Sequence, residues 1–479
     1  MGMRGFVGRV VFSLWCLAGV AHSFAAADGQ TGLPVGSDLN DDATTNPREV
    51  FHSEASRGRR SYLSNLGNLA FNSPYTLGEA AQKAHMSCGT CHVNGASNPR
   101  LFIPGLSSRP GTFDTTSSLF NPKTDNGVLD PVTIPSLRGT RFQAPYGHDG
   151  RTGSLRDFVH NVIVNEFAGR EPTPQILDAI VAYVEDIDFL PNPNLDATGQ
   201  LEPTADSSAR RGQALFSKAF PHDHSLSCAG CHVPSAAFVD HREHDVGSGG
   251  LFKTPTLLNA DFNGPYFHDG RFDNYTQVID HFDRVFDLGL APQDRADLAA
   301  YLAAVGNGVR PQYQLTGVNV LEDENGFASV LDIAIAQHDT EVVFLATRTV
   351  SDQLRDLADH YPDPQRAGTA SGADERQLGG GVVGVDTVGG AASDGVNELR
   401  LARATIGRLV ETLQQVNAAV TSGHFDAAAA EYLSYRKLTA AAAPRALQTA
   451  EPWSLFNPTL HVARQADSQQ PAAIHPTTE

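Results

Sequence analysis

The sequence predicts a mainly α-helical protein in which one domain occurs twice and is followed by a helical C-terminal domain. Three observations lead to this prediction. The motif CGTCH at 88–92 has a counterpart, CAGCH, at 228–232. Each motif is followed by a similar element, APYGHDGR at 144–151 and GPYFHDGR at 264–271. Apolar residues at helical spacing follow both elements and continue beyond residue 310, where the motifs stop.

The C-x-x-C-H pattern is the attachment signature of a c-type haem, in which two thiols bond one porphyrin edge and the histidine becomes an iron ligand. The fifth cysteine, Cys16, lies in the signal-like N-terminus. Two disulfides or one four-cysteine zinc site would leave both histidines unexplained. We therefore predict two covalently attached c-type haems with His92 and His232 as proximal ligands. The predicted attachment cysteines are Cys88, Cys91, Cys228 and Cys231.

The predicted fold class is mainly α, with two tandem cytochrome c-type haem domains followed by a C-terminal helical domain. The predicted segments are a signal peptide (1–27), a flexible N-terminal segment (28–47), haem domain 1 (48–190), a linker (191–208), haem domain 2 (209–310), a helical domain (311–463) and a disordered tail (464–479). The first copy is about twenty residues longer between its two motifs, which predicts a loop insertion at 101–131.

The period of the apolar residues predicts where helices lie. Pro174 stands at a natural first helical turn, and a helix at 210–216 is predicted to open the second haem domain. In the C-terminal third, long helices are predicted at 327–360 and 396–443, with a Gly-rich loop at 379–395.

The N-terminus has the pattern of an export signal, because Arg4 and Arg9 precede an apolar run at 10–20 and small residues lead to a predicted cleavage site after Ala27. The run is shorter than the roughly 20 residues that a membrane span needs. We therefore expect a soluble protein that is periplasmic or otherwise exported. A formal net charge of −19 gives it little electrostatic reason to bind nucleic acid or anionic lipid.

These motifs resemble the di-haem cytochrome c peroxidase superfamily, which includes bacterial peroxidases and the enzymes that mature tryptophan-derived quinone cofactors. The resemblance covers about residues 48 to 308. It implies that Pro135 and Pro255 lie against the proximal histidines. It also implies that cations near the motifs neutralise haem propionates: Arg138, Arg151, Lys253 and Arg271. A calcium ion between the domains, held partly by backbone carbonyls, is a further feature of that family.

The histidines of the two HDG elements, His148 and His268, are expected to organise the structure near the haems rather than to bind iron. Asp149 and Asp269 are expected to orient them by accepting hydrogen bonds. The chain departs from the family in lacking the tryptophan of the usual first domain. An aromatic relay between the haems would therefore have to use tyrosine or phenylalanine.

The sixth iron position is the least determined part of the site. Of the three methionines, Met86 lies too close to its own attachment motif to reach the distal side, and the other two are in the signal sequence. In the resembling peroxidases, a methionine stands fourteen residues after the HDG histidine. Here the corresponding positions are Val162 and Phe282, neither of which can ligate.

Three interpretations of the distal side remain open. His160 and His281 ligate and give two six-coordinate haems, or one haem stays open against an apolar wall, or the ligand is another histidine. The other histidines near the motifs are His85, His222, His224, His241 and His244. Peroxide cleavage also needs a proton carrier, for which Glu166 is the candidate.

These features predict a peroxidase-like oxidoreductase that passes electrons between two haems, with at least one open iron reducing peroxide or acting on a partner substrate. Its expected partner is a small soluble electron-donor or electron-acceptor protein. The alternative is a non-catalytic electron-transfer cytochrome in which both irons are six-coordinate. The C-terminal domain is expected to pack on the haem domains, with docking or homodimerisation as an alternative role.

Overall fold

The computed structural model describes residues 32–40, 47–363 and 391–457, and helices dominate these ranges, as predicted. The signal peptide (1–27) and the tail (464–479) lie outside the described residues, as do half of the N-terminal segment (28–31 and 41–46) and residues 379–390 of the expected Gly-rich loop. None of the helices in the described ranges is long and apolar enough to span a lipid bilayer.

Residues 48–190, here called segment 1, contain six helices and one two-stranded sheet. The helices are α1 (His52–Arg57), α2 (Tyr62–Phe71), α3 (Glu79–Lys83), α4 (Cys88–Cys91), α5 (Leu155–Asn161) and α6 (Pro174–Asp186). The antiparallel strands are β1 (Thr112–Phe113) and β2 (Val132–Thr133), so the predicted insertion is mostly loop. Helix α6 begins with Pro174 after its N-cap Thr173, where the sequence predicted it.

Residues 209–310, with the N-terminal turn of their first helix, are called segment 2. Its helices are α7 (Ser207–Phe216), α8 (Cys228–Cys231), α9 (Tyr275–Phe286) and α10 (Pro292–Gly306), and its antiparallel strands are β3 (Glu243–Asp245) and β4 (Leu251–Lys253). The helix predicted at 210–216 is therefore present and starts three residues earlier, where Asp206 accepts a hydrogen bond from the Ser208 amide.

The same helix crossing forms the core of both segments. In segment 1, α2 meets α6 at Gly67, where an added Cβ atom would lie 1.9 Å from the Ala179 carbonyl oxygen. In segment 2, α7 meets α10 at Gly212, and an added Cβ would lie 2.0 Å from the Asp297 carbonyl oxygen. Only glycine allows two helix backbones to approach this closely. The crossing brings a phenylalanine against a buried tyrosine in each segment.

Two backbone hydrogen bonds join the segments in a reciprocal way. The Thr133 amide of β2 donates to the His268 carbonyl at 2.7 Å, and the Lys253 amide of β4 donates to the His148 carbonyl at 2.9 Å. Each strand therefore pairs with the HDG loop of the other segment. We call this arrangement the interdomain clasp. Arg109 reinforces it, because its Nη1 donates to the Gly270 carbonyl at 2.7 Å and its Nη2 pairs with Asp273.

The C-terminal helices form a bundle that shares one hydrophobic core with segment 1, whereas segment 2 has a smaller core of its own. The bundle helices are α11 (Gly317–Ala328), α12 (Leu331–Ala336), α13 (Thr340–Asp359), α14 (Ala391–Thr421), α15 (Phe425–Lys437) and α16 (Ala443–Ala450). Arg48 of segment 1 donates to both carboxylate oxygens of Asp323 at 2.9 and 2.6 Å, and Ser73 shares a hydrogen bond with Thr349 at 2.6 Å.

The prediction of two continuous long helices in this bundle was wrong. The first is interrupted near His338, whose φ is 57°, and Asp339 then caps α13 by accepting from the Val342 amide. The second ends at Thr421, and Gly423 with φ of 74° turns the chain into α15. A left-handed residue stops a helix even where the apolar spacing continues. The predicted long helices are therefore shorter helices joined by tight turns.

The glycine crossings give the first testable prediction. Gly67→Ala and Gly212→Ala should each lower the free energy of unfolding by about 1–3 kcal/mol, because the new methyl group meets a backbone carbonyl that cannot move aside. The control is Gly153→Ala, since no atom lies within 4 Å of a Cβ built there. Urea titrations monitored by circular dichroism measure the effect. Equal midpoints for all three variants would contradict the close crossing.

Candidate haem sites

Each attachment motif forms one short helical turn. In α4, Ser87 and Thr90 make a reciprocal capping box, and the His92 amide donates to the Cys88 carbonyl at 2.9 Å. In α8, Ser227 accepts from the Gly230 amide at 3.0 Å, and the His232 amide donates to the Cys228 carbonyl at 2.8 Å. All four motif cysteines are free thiols and partly buried. The disulfide alternative therefore does not describe this structure.

The proximal histidine rings are held by backbone carbonyls. His92 Nδ1 donates to the Pro135 carbonyl at 3.0 Å. His232 Nδ1 donates to the Phe238 carbonyl at 3.2 Å, and the Pro255 carbonyl also accepts from this ring. Burial lowers the pKa of His92 to about 4 and also lowers that of His232. Both rings are therefore neutral at pH 7, and a ring bonded through Nδ1 has Nε2 left for a metal.

The hydrogen bonds of Arg138 indicate whether the residues around the His92 turn fit a haem. It is 1% exposed, and its Nη2 donates to the Pro47 carbonyl at 2.7 Å and to the Asn94 carbonyl at 3.3 Å. Its Nε and Nη1 are buried without a hydrogen-bond partner, and burial lowers its pKa to about 10. Buried donors without acceptors are costly. A propionate next to the His92 turn would satisfy both, so the residues fit a haem in segment 1.

The other predicted propionate partners differ from one another. Lys253 Nζ donates to the Gln143 carbonyl at 2.8 Å across the clasp, and burial lowers its pKa to about 8. Arg151 Nη1 donates to Asp149 at 3.1 Å, and Arg271 makes a two-nitrogen contact with Asp269. Lys253 thus resembles Arg138 in lacking a carboxylate partner among the described residues, whereas the two HDG arginines already have one.

The HDG aspartates were expected to orient the neighbouring histidines, and this expectation was wrong. Both carboxylates accept from the arginine two residues later. His148 Nε2 instead donates to the Thr133 carbonyl at 2.8 Å, and the His268 ring stacks on Phe252 with centroids 3.6 Å apart. Burial lowers the pKa of His148 to about 4. The HDG loops therefore build the interdomain clasp, which their sequence alone did not indicate.

The two histidines proposed for the sixth position occupy different surroundings. His281 is 7% exposed, and its Nε2 donates to the Val246 carbonyl at 2.7 Å among phenylalanine rings. His160 Nε2 is held by Glu171 at 2.8 Å, and the side chain is 36% exposed. Distal ligation by either residue stays a prediction.

The remaining histidines near the motifs have varied partners. His222 lies 3.1 Å from Asp287, and His241 Nδ1 donates to the Ala144 carbonyl at 2.7 Å. His85 and His224 are exposed. His244 Nε2 lies 2.6 Å from Asp240 Oδ2. The structure thus places His244 and His241 close to other motif residues and the others at the surface.

Sequence reasoning missed the grouping of Asp240 and His244 with Cys231. Their potential ligand atoms lie within 4.8 Å of one another, and they form the one such group of three found in the described residues. Because Cys231 belongs to the predicted attachment motif, this group lies within the candidate haem site of segment 2. The D-x-x-x-H spacing at 240–244 was a signal that could have revealed it.

Glu166 is mostly buried, which the sequence did not indicate. It ends a π-helical turn, Val162–Glu166, and its side chain is 12% exposed. Its Oε1 accepts from Arg151 Nη2 and from Asn161 Nδ2, both at 3.2 Å. Burial raises the pKa of this carboxyl group, while Arg151 opposes the increase. This carboxyl group can therefore exchange a proton at a pH closer to neutral than the carboxyl group of an exposed glutamate can.

The loop insertion of segment 1 supports this turn. Asn121 Nδ2 and Thr124 Oγ1 both donate to the Asn165 carbonyl, at 2.5 and 3.2 Å. In segment 2, the corresponding helix α9 continues through this region and carries Phe282 and Phe286, whose rings lie parallel with centroids 6.0 Å apart. Segment 1 is therefore polar at a place where segment 2 is aromatic.

Comparison with known proteins agrees with these features. Residues 207–307 match the sequence profile described as di-haem cytochrome c peroxidase. The gamma subunit of hydrazine synthase from Kuenenia stuttgartiensis is 26% identical, in a match that covers 35% of this chain and 63% of that protein. The methylamine utilization protein MauG from Methylorubrum extorquens is 28% identical over 21% of this chain and 35% of that protein.

A third relative is the cytochrome-c peroxidase IdrP1 from a Pseudomonas species, 33% identical over 14% of this chain and 20% of that protein. The chain thus spans less than two thirds of the length of each of these relatives. The resemblance inferred from the two sets of motifs is confirmed by the match of residues 207–307 to the profile of the di-haem cytochrome c peroxidase family.

Proposed function

We propose that this chain is an exported di-haem c-type cytochrome oxidoreductase that reduces peroxide, with one covalent haem in each segment. The observation that carries the proposal is the mostly buried Glu166 of segment 1, a proton-exchanging group that pairs with the exposed Arg151 and that has no counterpart in helix α9 of segment 2. The family match supports a haem oxidoreductase, and a cytochrome-c peroxidase among the relatives supports peroxide as the substrate class.

When bound, a c-type haem supplies an iron that exchanges single electrons and, where a coordination position is open, binds peroxide. The protein contributes position and charge. The Pro135 carbonyl orients His92 through Nδ1, which makes Nε2 a stronger ligand. Arg138 and Lys253 would hold propionates. Glu166 starts as the carboxylate, to which Arg151 Nη2 donates, and it would take a proton from one peroxide oxygen, hold it as the neutral acid and return it to the other oxygen.

Segment 2 is the electron-accepting half in this proposal. Its attachment turn is more open than that of segment 1: a Cβ on Gly230 would meet only Ser227 Oγ at 3.4 Å, whereas one on Gly89 would lie 2.2 Å from Asn72 Oδ1. In segment 1, by contrast, the bundle comes close to the turn, because His85, three residues before Cys88, opposes the burial that raises the pKa of Asp356 in the bundle. A small electron-donor protein therefore has freer access to the haem edge of segment 2.

The number of haems is the first prediction from this proposal. The purified protein should carry two haems that survive denaturation, because each is held by thioether bonds. Replacing both cysteines of one motif, Cys88→Ser with Cys91→Ser or Cys228→Ser with Cys231→Ser, should remove one haem and leave the other. Intact-mass spectrometry and haem absorbance after denaturation measure this. One haem in the wild-type protein would contradict the assignment.

The spin states of the two haem irons distinguish a peroxidase from a non-catalytic electron carrier. The oxidised protein should show a high-spin electron paramagnetic resonance signal that changes when hydrogen peroxide is added, because at least one iron is open. Two low-spin signals, unchanged by peroxide in both the oxidised and the half-reduced protein, would overturn the peroxidase proposal. That result would favour a carrier with two six-coordinate irons.

Glu166→Gln should lower the peroxide-driven rate by about 10²- to 10⁴-fold, since the amide cannot accept the proton. Because burial raises the pKa of Glu166, its carboxylate is lost at a higher pH than that of an exposed glutamate. The wild-type rate should therefore fall as the pH is lowered through this raised pKa, and the variant should lack that limb.

Stopped-flow reaction with peroxide over a pH series measures both effects. The matched control is Glu54→Gln, a half-exposed glutamate of segment 1 whose side chain pairs with Arg60. A similar loss in both variants would remove Glu166 from the proton-transfer role.

A further inference from the structure

A groove runs along the bundle where it meets segment 1. It consists of two adjoining cavities of about 270 and 340 Å³ between α13 and α14, which share Arg355 and Gln414. Tyr75 of segment 1 closes one side of the first cavity. This volume is at the small end of the range of ligand pockets, so it suits a small molecule.

The charges in the first cavity do not balance. The guanidinium of Arg348 lies 3.9 Å from the centroid of the Tyr75 ring, and no carboxylate of the described chain lies within 4.0 Å of it. Asp352 accepts from Tyr75 Oη and, at 2.5 Å, from Arg355 Nη1. One carboxylate thus faces two guanidinium groups, which leaves a positive site in a chain of formal charge −19.

Neutral donors complete the lining. Gln414 and Asn417 project from α14 into the same cavity, and their side chains make no hydrogen bond within the described residues. An amide offers two N–H donors, and a guanidinium presents its donors in a planar fork that matches a carboxylate or phosphate group. The cavity therefore combines unneutralised positive charge with unused donors.

We propose that this cavity binds a small oxyanion, through a phosphate or carboxylate group held by Arg348, Arg355 and the two amides. Charge-assisted hydrogen bonds from arginine are the strongest contacts available to such a group. The cavity lies beside Tyr75 of segment 1, at a junction whose direct polar contacts include Ser73 with Thr349, Arg48 with Asp323 and Tyr75 with Asp352.

Isothermal titration calorimetry of the full-length purified protein, with inorganic phosphate and separately with malonate, tests the site. We expect saturable binding of one anion per chain that weakens as sodium chloride is raised. Arg348→Gln should weaken binding at least tenfold. The matched control is Arg445→Gln, which removes an exposed arginine of the same bundle outside the cavity and should bind as the wild type does.

Thermal unfolding gives a second readout, since a ligand that binds only the folded state raises the melting temperature. Phosphate or malonate should raise it in the wild type and in Arg445→Gln but not in Arg348→Gln. Gln414→Leu leaves the Arg348–Tyr75 stack intact and should also weaken anion binding. It therefore provides a test of the site that does not depend on correct folding of the Arg348→Gln variant.

Binding of only one of the two anions would support the site and identify its chemical class. The absence of saturable binding for both anions in the wild type would overturn the proposal. Equal affinities in the wild type and in the Arg348 and Gln414 variants would overturn it as well.

Discussion

Two backbone hydrogen bonds, from Thr133 to His268 and from Lys253 to His148, set the relation between the two halves of this protein. Each links a strand of one segment to the HDG loop of the other. The loops therefore cannot move without separating the segments, and the attachment turns that they accompany are held at one mutual distance. Electron transfer between two haems depends on that distance. The clasp accordingly explains why both copies contain the same HDG element.

The two halves share a frame but differ in the side chains that line it. Arg138 has Leu258 at the matching place in segment 2, since TIPSLRG aligns with KTPTLLN. Where segment 1 has Glu166, segment 2 has a phenylalanine-rich helix. In the proposed function, these differences assign proton transfer to segment 1 and electron transfer to segment 2.

The C-terminal bundle adds to this asymmetry. It shares its core with segment 1 alone, and Arg48, Ser73 and Tyr75 tie the two together with polar contacts. Burial of that side of segment 1 restricts approach to its attachment turn, whereas the turn of segment 2 remains open. In the proposed function, the bundle would therefore favour the approach of an electron-donor protein to segment 2.

The sequence by itself predicts the attachment cysteines and histidines, and it determined the repeated motifs, the contact of Pro135 with His92 and the start of α6. These depend on short spacings, which local chemistry dictates. Local backbone geometry paired Asp149 with Arg151 and ended two helices at His338 and Gly423, which the period of the apolar residues did not reveal. Tertiary structure alone decided that His148 donates to Thr133, that Glu166 is mostly buried and that two donors of Arg138 lack a partner. These outcomes depend on which distant chain segment lies beside each side chain, and residue spacing along the chain carries no information about that choice.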